Sequence, residues 1–154
     1  MTTTLAFSLR PAEPADADFE HALYASTRDD LRPLGPEVFD GLVGMQFRAQ
    51  SMSIKLDHPD AEHKIVLVEN VPVGRLIIDG AVDPIEVIDV ALLPKYRSQG
   101  IGTSVLRGVL AQADRMGRAI MLHVEKQSRA VRLYERLGFV ISGDVGMYVT
   151  MSRG

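Results

Sequence analysis

The sequence predicts one α/β (α+β) domain, in which a mixed β-sheet carries helices on both faces. Three observations lead to this prediction. The chain has 154 residues, a length that suits one domain with a sizeable core. Apolar runs typical of strands alternate with segments whose apolar residues recur at helical spacing. The segment 85–124 reads as strand, helix, strand, so we expect its two strands to be parallel.

The elements before residue 80 follow from apolar spacing and turn residues. Proline at position 36 suits the first position of a helix, and residues 69–72 have the composition of a hairpin turn. Residues 28–36 are predicted to be a polar loop bounded by prolines. The predicted elements are a strand around residues 7–9, a helix capped at Asp16 or Asp18, a helix from 36 to 49, and strands 65–68 and 73–78.

The elements after residue 80 include the predicted crossover. The strand at 85–92 is apolar except for Glu86 and Asp89, and the helix at 101–116 ends at Gly117, a residue suited to a helix C-terminus. The remaining predicted elements are a strand at 119–124, a helix at 128–137, and a closing hairpin of strands 139–141 and 147–151. The sequence contains no internal repeat or linker, so the predicted domain spans residues 1–154.

Composition excludes several classes of function. A net charge of −3 and the lack of a basic stripe argue against a nucleic-acid partner. The chain has no cysteine, which excludes disulfides, thiolate metal sites and a cysteine nucleophile, and its four histidines lack ligand spacing, so no metal is expected. Residues 1–5 do not resemble the start of a signal peptide, and no apolar run approaches the ~20 residues of a membrane span. We therefore expect a cytoplasmic protein without a membrane partner.

The most informative segment is Arg97-Ser98-Gln99-Gly100-Ile101-Gly102, which lies between an apolar strand and a helix. The first N–H groups of a helix lack intrahelical partners and carry partial positive charge, so this segment is predicted to bind an anion. The two glycines allow a pyrophosphate to approach the backbone, and Arg97 adds a charge-assisted bond. Thr103 follows Gly102 without a lysine, which argues against a nucleoside triphosphate site.

A second block, residues 130–139, reads Ala-Val-Arg-Leu-Tyr-Glu-Arg-Leu-Gly-Phe. In order and spacing, the two blocks resemble the GNAT superfamily of acyl-CoA-dependent N-acetyltransferases, whose signature is Arg/Gln-x-x-Gly-x-Gly/Ala after a strand. The resemblance implies a mostly antiparallel central sheet with a parallel βαβ core, and acetyl-CoA as co-substrate. It also implies an amine acceptor, either a small molecule or a peptide. Members of this family are often homodimers.

The resemblance also implies how the cofactor is bound. Pantetheine is expected to pair with the strand at Val90, Ala91 and Leu92, which splays from the next strand, often with a bulge. A free N–H near Leu92 then polarises the thioester carbonyl. Where the family often has asparagine, this chain has Gln127. The expected cofactor-binding residues are Val90, Ala91, Leu92, Arg97, Ser98, Gln99, Gly100, Ile101, Gly102, Thr103 and Gln127.

Three residues are candidates for catalysis. Tyr134 is the favoured acid for the departing thiolate, because a phenol is a proton donor at neutral pH. Glu86 is the first candidate for the base, at a place where some family members carry a glutamate, and Asp89 is the second. Strand alternation puts the two carboxylates on opposite faces, so at most one enters the site unless a bulge intervenes. A glutamate that some members carry on the following strand is replaced here by Leu122.

Other residues carry weaker expectations. His123 and Glu125 share a strand face that could line the acceptor cleft. Arg129 and Arg132 either contact the CoA phosphates or are solvated residues on a helix surface, and the second interpretation is favoured for both. By analogy with the family, the first two helices supply an acceptor wall of Tyr24, Arg28, Phe39, Met45, Gln46 and Phe47. The leading hypothesis is N-acetyl transfer by direct attack, since no cysteine is available for an acyl-enzyme. The alternatives are a CoA-binding regulatory module without turnover, a longer acyl group, or an oxygen acceptor.

Overall fold

The computed structural model describes residues 6–154, in which seven strands form one sheet in the order β1-β2-β3-β4-β5-β7-β6. Its helices and strands are β1 (Ser8–Pro11), α1 (Ala17–Ala25), α2 (Pro36–Asp57), β2 (Glu62–Val68), β3 (Val71–Asp79), β4 (Ile85–Leu92), α3 (Ile101–Arg115), β5 (Ile120–Glu125), α4 (Ala130–Arg136), β6 (Val140–Val145) and β7 (Tyr148–Arg153). Every predicted strand and helix is present. Residues 1–5, on which the signal-peptide prediction rested, lie outside the described residues.

The sheet is mixed and mostly antiparallel, which confirms the predicted fold class. Five of its neighbouring strand pairs are antiparallel. The exception is β4 with β5, which are parallel and are joined by a crossover through α3. The predicted parallel unit is therefore confirmed, and it lies near the centre of the sheet.

The ends of several elements differ from the prediction. Helix α2 continues past Ala49 to Asp57, because Ile54 extends its buried face by further turns. The turn before β3 consists of Glu69 and Asn70 alone, both with positive φ. Such two-residue turns match the twist of a hairpin, so Val71 and Pro72 belong to β3 rather than to the turn. Residues 29–34 of the predicted loop form a 3-10 helix.

Apolar side chains are buried on both faces of the sheet. Leu76, Ile101, Leu106 and Phe139 belong to a large cluster beneath α3 and α4. Ile77 alternates with Leu76 along β3, so its side chain points to the other face, towards α1 and α2. That face also buries residues of the two helices, Leu23, Phe39, Val43 and Ile54. Two apolar layers thus hold the sheet between helices, as predicted.

Two kinds of feature are absent from residues 6–154. No helix there combines the length and the apolar character that a bilayer span requires. No three side chains among the histidines, aspartates and glutamates of that range are grouped so as to hold a metal ion.

Candidate active site

The sheet opens between its two parallel strands. Strand β4 pairs with β5 only from Ile85 to Val87, opposite Ile120 to Leu122. On its other side β4 stays paired with β3 as far as Leu92. The β5-facing backbone groups of residues 88–92 therefore border a wedge-shaped gap instead of a strand. This confirms the splay that the family resemblance implied.

A bulge lies at the beginning of this gap. Asp89 pairs with Ile77 and Val87 with Ile78, so Ile88 is an extra residue in β4. One extra residue reverses the alternation of side chains that follow it. Glu86 and Asp89 consequently point to the same face of the sheet, the face covered by α1 and α2, and not to opposite faces as strict alternation predicts.

A cleft of about 940 Å³ fills the gap and continues to the ends of α1 and α4. Strand β4, the loop before α3, and α4 each contribute to its wall. The residues that line it are Leu23, Tyr24, Ser26, Thr27, Asp29, Asp30, Gln50, Arg75, Asp89, Val90, Ala91, Leu92, Arg97, Ser98, Gly100, Gly102, Thr103, Leu106, Arg129, Ala130, Leu133, Tyr134 and Arg136.

The loop before α3 has the shape expected of an anion cradle. A 3-10 turn at Pro94–Tyr96 leads into it, and Ser98 and Gly100 both have positive φ, 61° and 84°. Gly100 is the N-cap residue of α3, and its carbonyl accepts a hydrogen bond from the Ser104 N–H at 3.0 Å. The free N–H groups of the first turn of α3 point out of its N-terminal end, and Gly100, Gly102 and Thr103 at that end line the cleft.

Two polar side chains of this loop bind other parts of the protein. The Arg97 Nε donates to the Leu92 carbonyl oxygen at 2.9 Å, and its Nη2 donates to the carbonyl and hydroxyl oxygens of Ser26, each at 3.2 Å. Gln99 donates from Nε2 to the Lys95 carbonyl at 2.7 Å. Arg97 thus joins the end of β4 to the end of α1 at the rim of the cleft, whereas Gln99 stabilises the loop.

Not every expected cofactor residue reaches the cleft wall. Ile101 is fully buried in the core beneath α3, where it anchors the helix. Gln127, in the connection after β5, is exposed and does not line the cleft. Gln99 likewise does not line it. The other expected residues, Val90, Ala91, Leu92, Arg97, Ser98, Gly100, Gly102 and Thr103, all border the same space.

Tyr134 faces the gap from α4. Its ring packs against Phe139 with centroids 5.8 Å apart, and the α4 N-terminus is fixed by Ser128, whose hydroxyl accepts from the Ala130 N–H at 3.1 Å. Burial raises the pKa of the Tyr134 hydroxyl, and the negative charge of Asp89 raises it further. The hydroxyl therefore stays protonated at neutral pH, as a proton donor must.

The two candidate carboxylates have different partners. Asp89 lines the cleft and accepts from Arg75 Nε at 2.6 Å. Glu86 lies 3.2 Å from His58 Nε2, and His58 Nδ1 is 2.7 Å from Asp79. Glu86 does not line the cleft, because His58 holds it near the end of α2. Although the bulge puts both carboxylates on one face, only Asp89 is near Tyr134.

Of the residues that the resemblance implied for an acceptor wall, one lines the cleft. Tyr24 lines the cleft, and Arg28 Nη1 donates to Gln46 Oε1 at 2.6 Å behind it. Phe39 belongs to the core, where Arg32 packs on its ring, and Met45 is exposed. Phe47 packs against Tyr24 with ring centroids 5.6 Å apart, and so supports the wall from behind.

Of the four residues on β5 and around α4 that carried weaker expectations, one lines the cleft and three do not. Arg129 lines the cleft, but Arg132 does not. His123 and Glu125 are exposed on β5 outside the cleft, and His123 Nδ1 is 3.1 Å from the Thr150 hydroxyl. Strand β5 diverges from β4 before it reaches them, so its later side chains face another part of the surface.

The sequence analysis missed Gln50, Arg75 and Arg136. Arg75 is 5% exposed, and it is the single charge between Val73 and Ile78 in an apolar strand. Asp89 interrupts the next strand in the same way. Two opposite charges within neighbouring apolar strands were therefore the signal for this pair, because a buried charge requires a partner.

In comparisons with known proteins, the chain matches one family profile and many solved structures of similar fold. The sequence profile of the acetyltransferase (GNAT) family matches residues 21–139. No curated protein matches the sequence. Among solved structures, the chain is similar to the PaiA N-acetyltransferase of Thermoplasma acidophilum in complex with coenzyme A, at a TM-score of 0.75 and 14% identity over 97% of this chain and 99% of that one.

Two further solved structures have the same fold. The ribosomal-protein-S18-alanine N-acetyltransferase of Escherichia coli has a TM-score of 0.67 and 16% identity, covering 96% of this chain and 93% of that one. A GNAT family acetyltransferase of Elizabethkingia anophelis, with acetyl-CoA bound, has a TM-score of 0.59 and 16% identity over 96% and 97% of the two chains. At these identities the likeness concerns the fold.

Proposed function

Because the chain belongs to the acetyltransferase (GNAT) family, we propose that it transfers the acetyl group of acetyl-CoA to a primary amine of a small molecule or a peptide. The observation that carries this proposal is the opening of the sheet between β4 and β5, which adjoins the anion cradle at the N-terminus of α3. The similar structures that hold coenzyme A or acetyl-CoA support the choice of the acyl donor.

The residues of the cleft fit acetyl-CoA. The unpaired edge of β4 offers backbone groups to the amides of pantetheine, as an added strand would. The first turn of α3 and Arg97 suit the pyrophosphate, and Arg129 and Arg136 line the same space as further cations. A volume of about 940 Å³ leaves room for an acceptor beside the donor.

The proposed chemistry uses two side chains on opposite walls of the gap. Acetyl-CoA supplies an activated acetyl group. Asp89 takes the proton of the acceptor amine, directly or through a water, so that the nitrogen attacks as a neutral amine. Tyr134 donates its proton to the departing thiolate, and an N–H near Leu92 polarises the thioester carbonyl. Attack is direct, since the chain has no cysteine for an acyl-enzyme.

Asp89 is the better candidate for the base. It lines the cleft, and its charge acts on Tyr134, so the two groups share one environment. Glu86 instead binds His58 outside the cleft. Gln127 is not assigned a role in binding pantetheine, because its side chain is exposed away from the cleft wall.

A turnover screen tests the proposal. The purified protein is incubated with acetyl-CoA and polyamines, amino acids, aminoglycosides or peptide N-termini, and both free thiol and acetylated product are measured. We expect stoichiometric CoA and N-acetyl product with at least one amine class. Tight CoA binding without product from any amine would instead favour the non-catalytic CoA-binding module, and faster turnover with a longer acyl-CoA would correct the donor.

A further inference from the structure

Arg75 is a charged residue in the interior of the protein that the chemistry above does not use. Its side chain is 6% exposed, although it lies in the middle of β3 among apolar residues. Moving a guanidinium out of water costs several kcal/mol unless its donors are satisfied, so an arginine at such a position requires close partners.

Three elements supply these partners. Nε donates to Asp89 Oδ2 on β4 at 2.6 Å, Nη2 donates to Gln50 Oε1 on α2 at 2.8 Å, and Nη1 reaches Glu20 Oε1 on α1 at 3.4 Å. The guanidinium is therefore fixed by both acceptor-wall helices as well as by the strand that borders the gap. Its orientation is determined independently of Asp89.

The contact with Asp89 occupies only one of the two carboxylate oxygens. Among residues 6–154, no donor is hydrogen bonded to Oδ1, and the Asp89 side chain keeps an exposure of 24% where it lines the cleft. A carboxylate attached to a flexible chain rotates freely. Attachment of Oδ2 to a fixed guanidinium restricts this rotation and so limits the directions in which Oδ1 can point.

We infer that Arg75 is a positioning residue: it holds Asp89 by Oδ2 so that Oδ1 faces the acceptor amine and accepts its proton. This inference rests on the proposed transfer to an amine. During the step, the N–H bond of the acceptor breaks and an O–H bond forms at Oδ1, while Arg75 keeps its own protons. Such orientation affects turnover more than binding, because proton transfer depends on the direction of the accepting lone pair.

A double-mutant cycle tests this inference. The variants are Arg75→Lys, Asp89→Asn and the combination, and kcat and the acceptor KM are measured for each at saturating acetyl-CoA. Lysine keeps the charge but cannot reproduce the fork geometry of arginine. We expect Asp89→Asn to lower kcat about 100-fold and Arg75→Lys about tenfold, with the combination within about twofold of Asp89→Asn alone.

A merely structural role gives a different result. In Asp89→Asn, the asparagine has nearly the same shape as aspartate, and its amide oxygen still accepts a hydrogen bond from Arg75. Structural damage by Arg75→Lys would therefore lower kcat by the same factor in the wild-type and the Asp89→Asn proteins. Equal losses, or an unchanged kcat in Arg75→Lys, would overturn the inference. The matched control is Arg10→Lys, which changes the ion pair between Arg10 on β1 and Asp16 before α1; neither residue lines the cleft, so kcat should be kept.

A second variant covers a failure of Arg75→Lys to fold. Gln50→Leu removes the acceptor of Nη2 and leaves the charges intact, so we expect about a threefold loss of kcat that vanishes when Asp89→Asn is also present. A loss that persists in the Asp89→Asn background contradicts the inference. The wild-type protein separates the two proposals. If wild type shows no turnover, the proposed acetyl transfer is refuted. If wild type turns over but the kcat losses of Arg75→Lys and Asp89→Asn are independent of each other, only the role of Arg75 is refuted.

Discussion

At the scale of single residues, Tyr134 shows how burial prepares a group for its proposed task. Its ring packs against Phe139, and its side chain lies where α4 borders the cleft. Burial and the charge of Asp89 both raise its pKa above 10.0, the ordinary value of a tyrosine. A donor with a raised pKa remains protonated across the whole neutral range.

Replacing this hydroxyl separates catalysis from binding. We expect Tyr134→Phe to lower kcat by about 10- to 100-fold and to change CoA affinity less than about twofold, since the ring packing is kept. In wild type, the activity that depends on the protonated hydroxyl should persist as the pH rises to about 9 and fall only above about 10, because the pKa is raised. Tyr148→Phe is the matched control, because the Tyr148 side chain is exposed at the start of β7 and does not line the cleft. Equal kcat for Tyr134→Phe and wild type would exclude the acid role.

The two carboxylates of β4 give a second prediction at this scale. Glu86→Gln should leave kcat within about twofold of wild type and lower the free energy of unfolding by about 1 kcal/mol, because its partner is His58 and not the acceptor. Steady-state kinetics and urea unfolding measure the two quantities. A kcat loss as large as that of Asp89→Asn would restore Glu86 as the base.

At the scale of elements, the turn into α3 depends on an unusual backbone conformation at one residue. Gly100 has φ 84°, a left-handed conformation that a side chain disfavours, and it ends the loop at the N-cap of α3. Gly102 has no such requirement. A Cβ added there would meet only Leu92 Cδ1, at an ordinary contact distance of 3.7 Å. Backbone conformation therefore favours glycine at position 100 but does not require it at position 102.

The pair provides a matched test of the cradle. We expect Gly100→Ala to lower the free energy of unfolding by about 1–2 kcal/mol and to weaken CoA binding about tenfold or more, because the strained residue displaces the first N–H groups of α3. Gly102→Ala should keep both properties, since its Cβ fits and the family signature accepts alanine there. Calorimetric titration with CoA and urea unfolding measure these effects. Unchanged CoA affinity in Gly100→Ala would show that pyrophosphate does not bind there.

At the scale of the whole molecule, ion pairs connect different elements of the fold. Arg10 on β1 binds Asp16 through two bonds of 2.8 Å, and the Glu13 N–H also donates to Asp16. The Arg10 side chain and this backbone N–H lower the pKa of Asp16 to about 2. Arg153 on β7 binds Asp114 of α3 in the same way but in a more exposed place, and lowers the pKa of Asp114.

These pairs predict how stability depends on pH. The folded protein releases the Asp16 proton at a lower pH than the unfolded chain does, so this stabilisation is present above about pH 4 and is lost as the pH falls towards about 2. Asp16→Asn should remove about 1–2 kcal/mol at neutral pH and flatten the loss of stability between about pH 5 and 2. Urea unfolding of wild type, Asp16→Asn and Asp114→Asn at several pH values measures this. Identical pH profiles for Asp16→Asn and wild type would contradict the assigned pKa.

The sequence alone determined the order of the elements, the parallel crossover and the glycine-containing loop before α3. These features depend on local information: apolar periodicity, glycines and prolines at turns, and a short motif whose context is a strand followed by a helix. The extra turns of α2 and the exact start of β3 were not predicted, because helix and strand ends depend on packing as well as on local propensity.

Only the tertiary structure decided which groups meet in the cleft. The bulge at Ile88 arises from the pairing of β4 with β3, and it turns Glu86 and Asp89 to one face of the sheet. His58 binds Glu86 outside the cleft, whereas Arg75 binds Asp89, which lines the cleft near Tyr134. Each of these contacts joins residues from different elements, so their spacing in the sequence does not determine them. The motif predicted which cofactor to expect, and long-range pairing determined which side chains line the cleft.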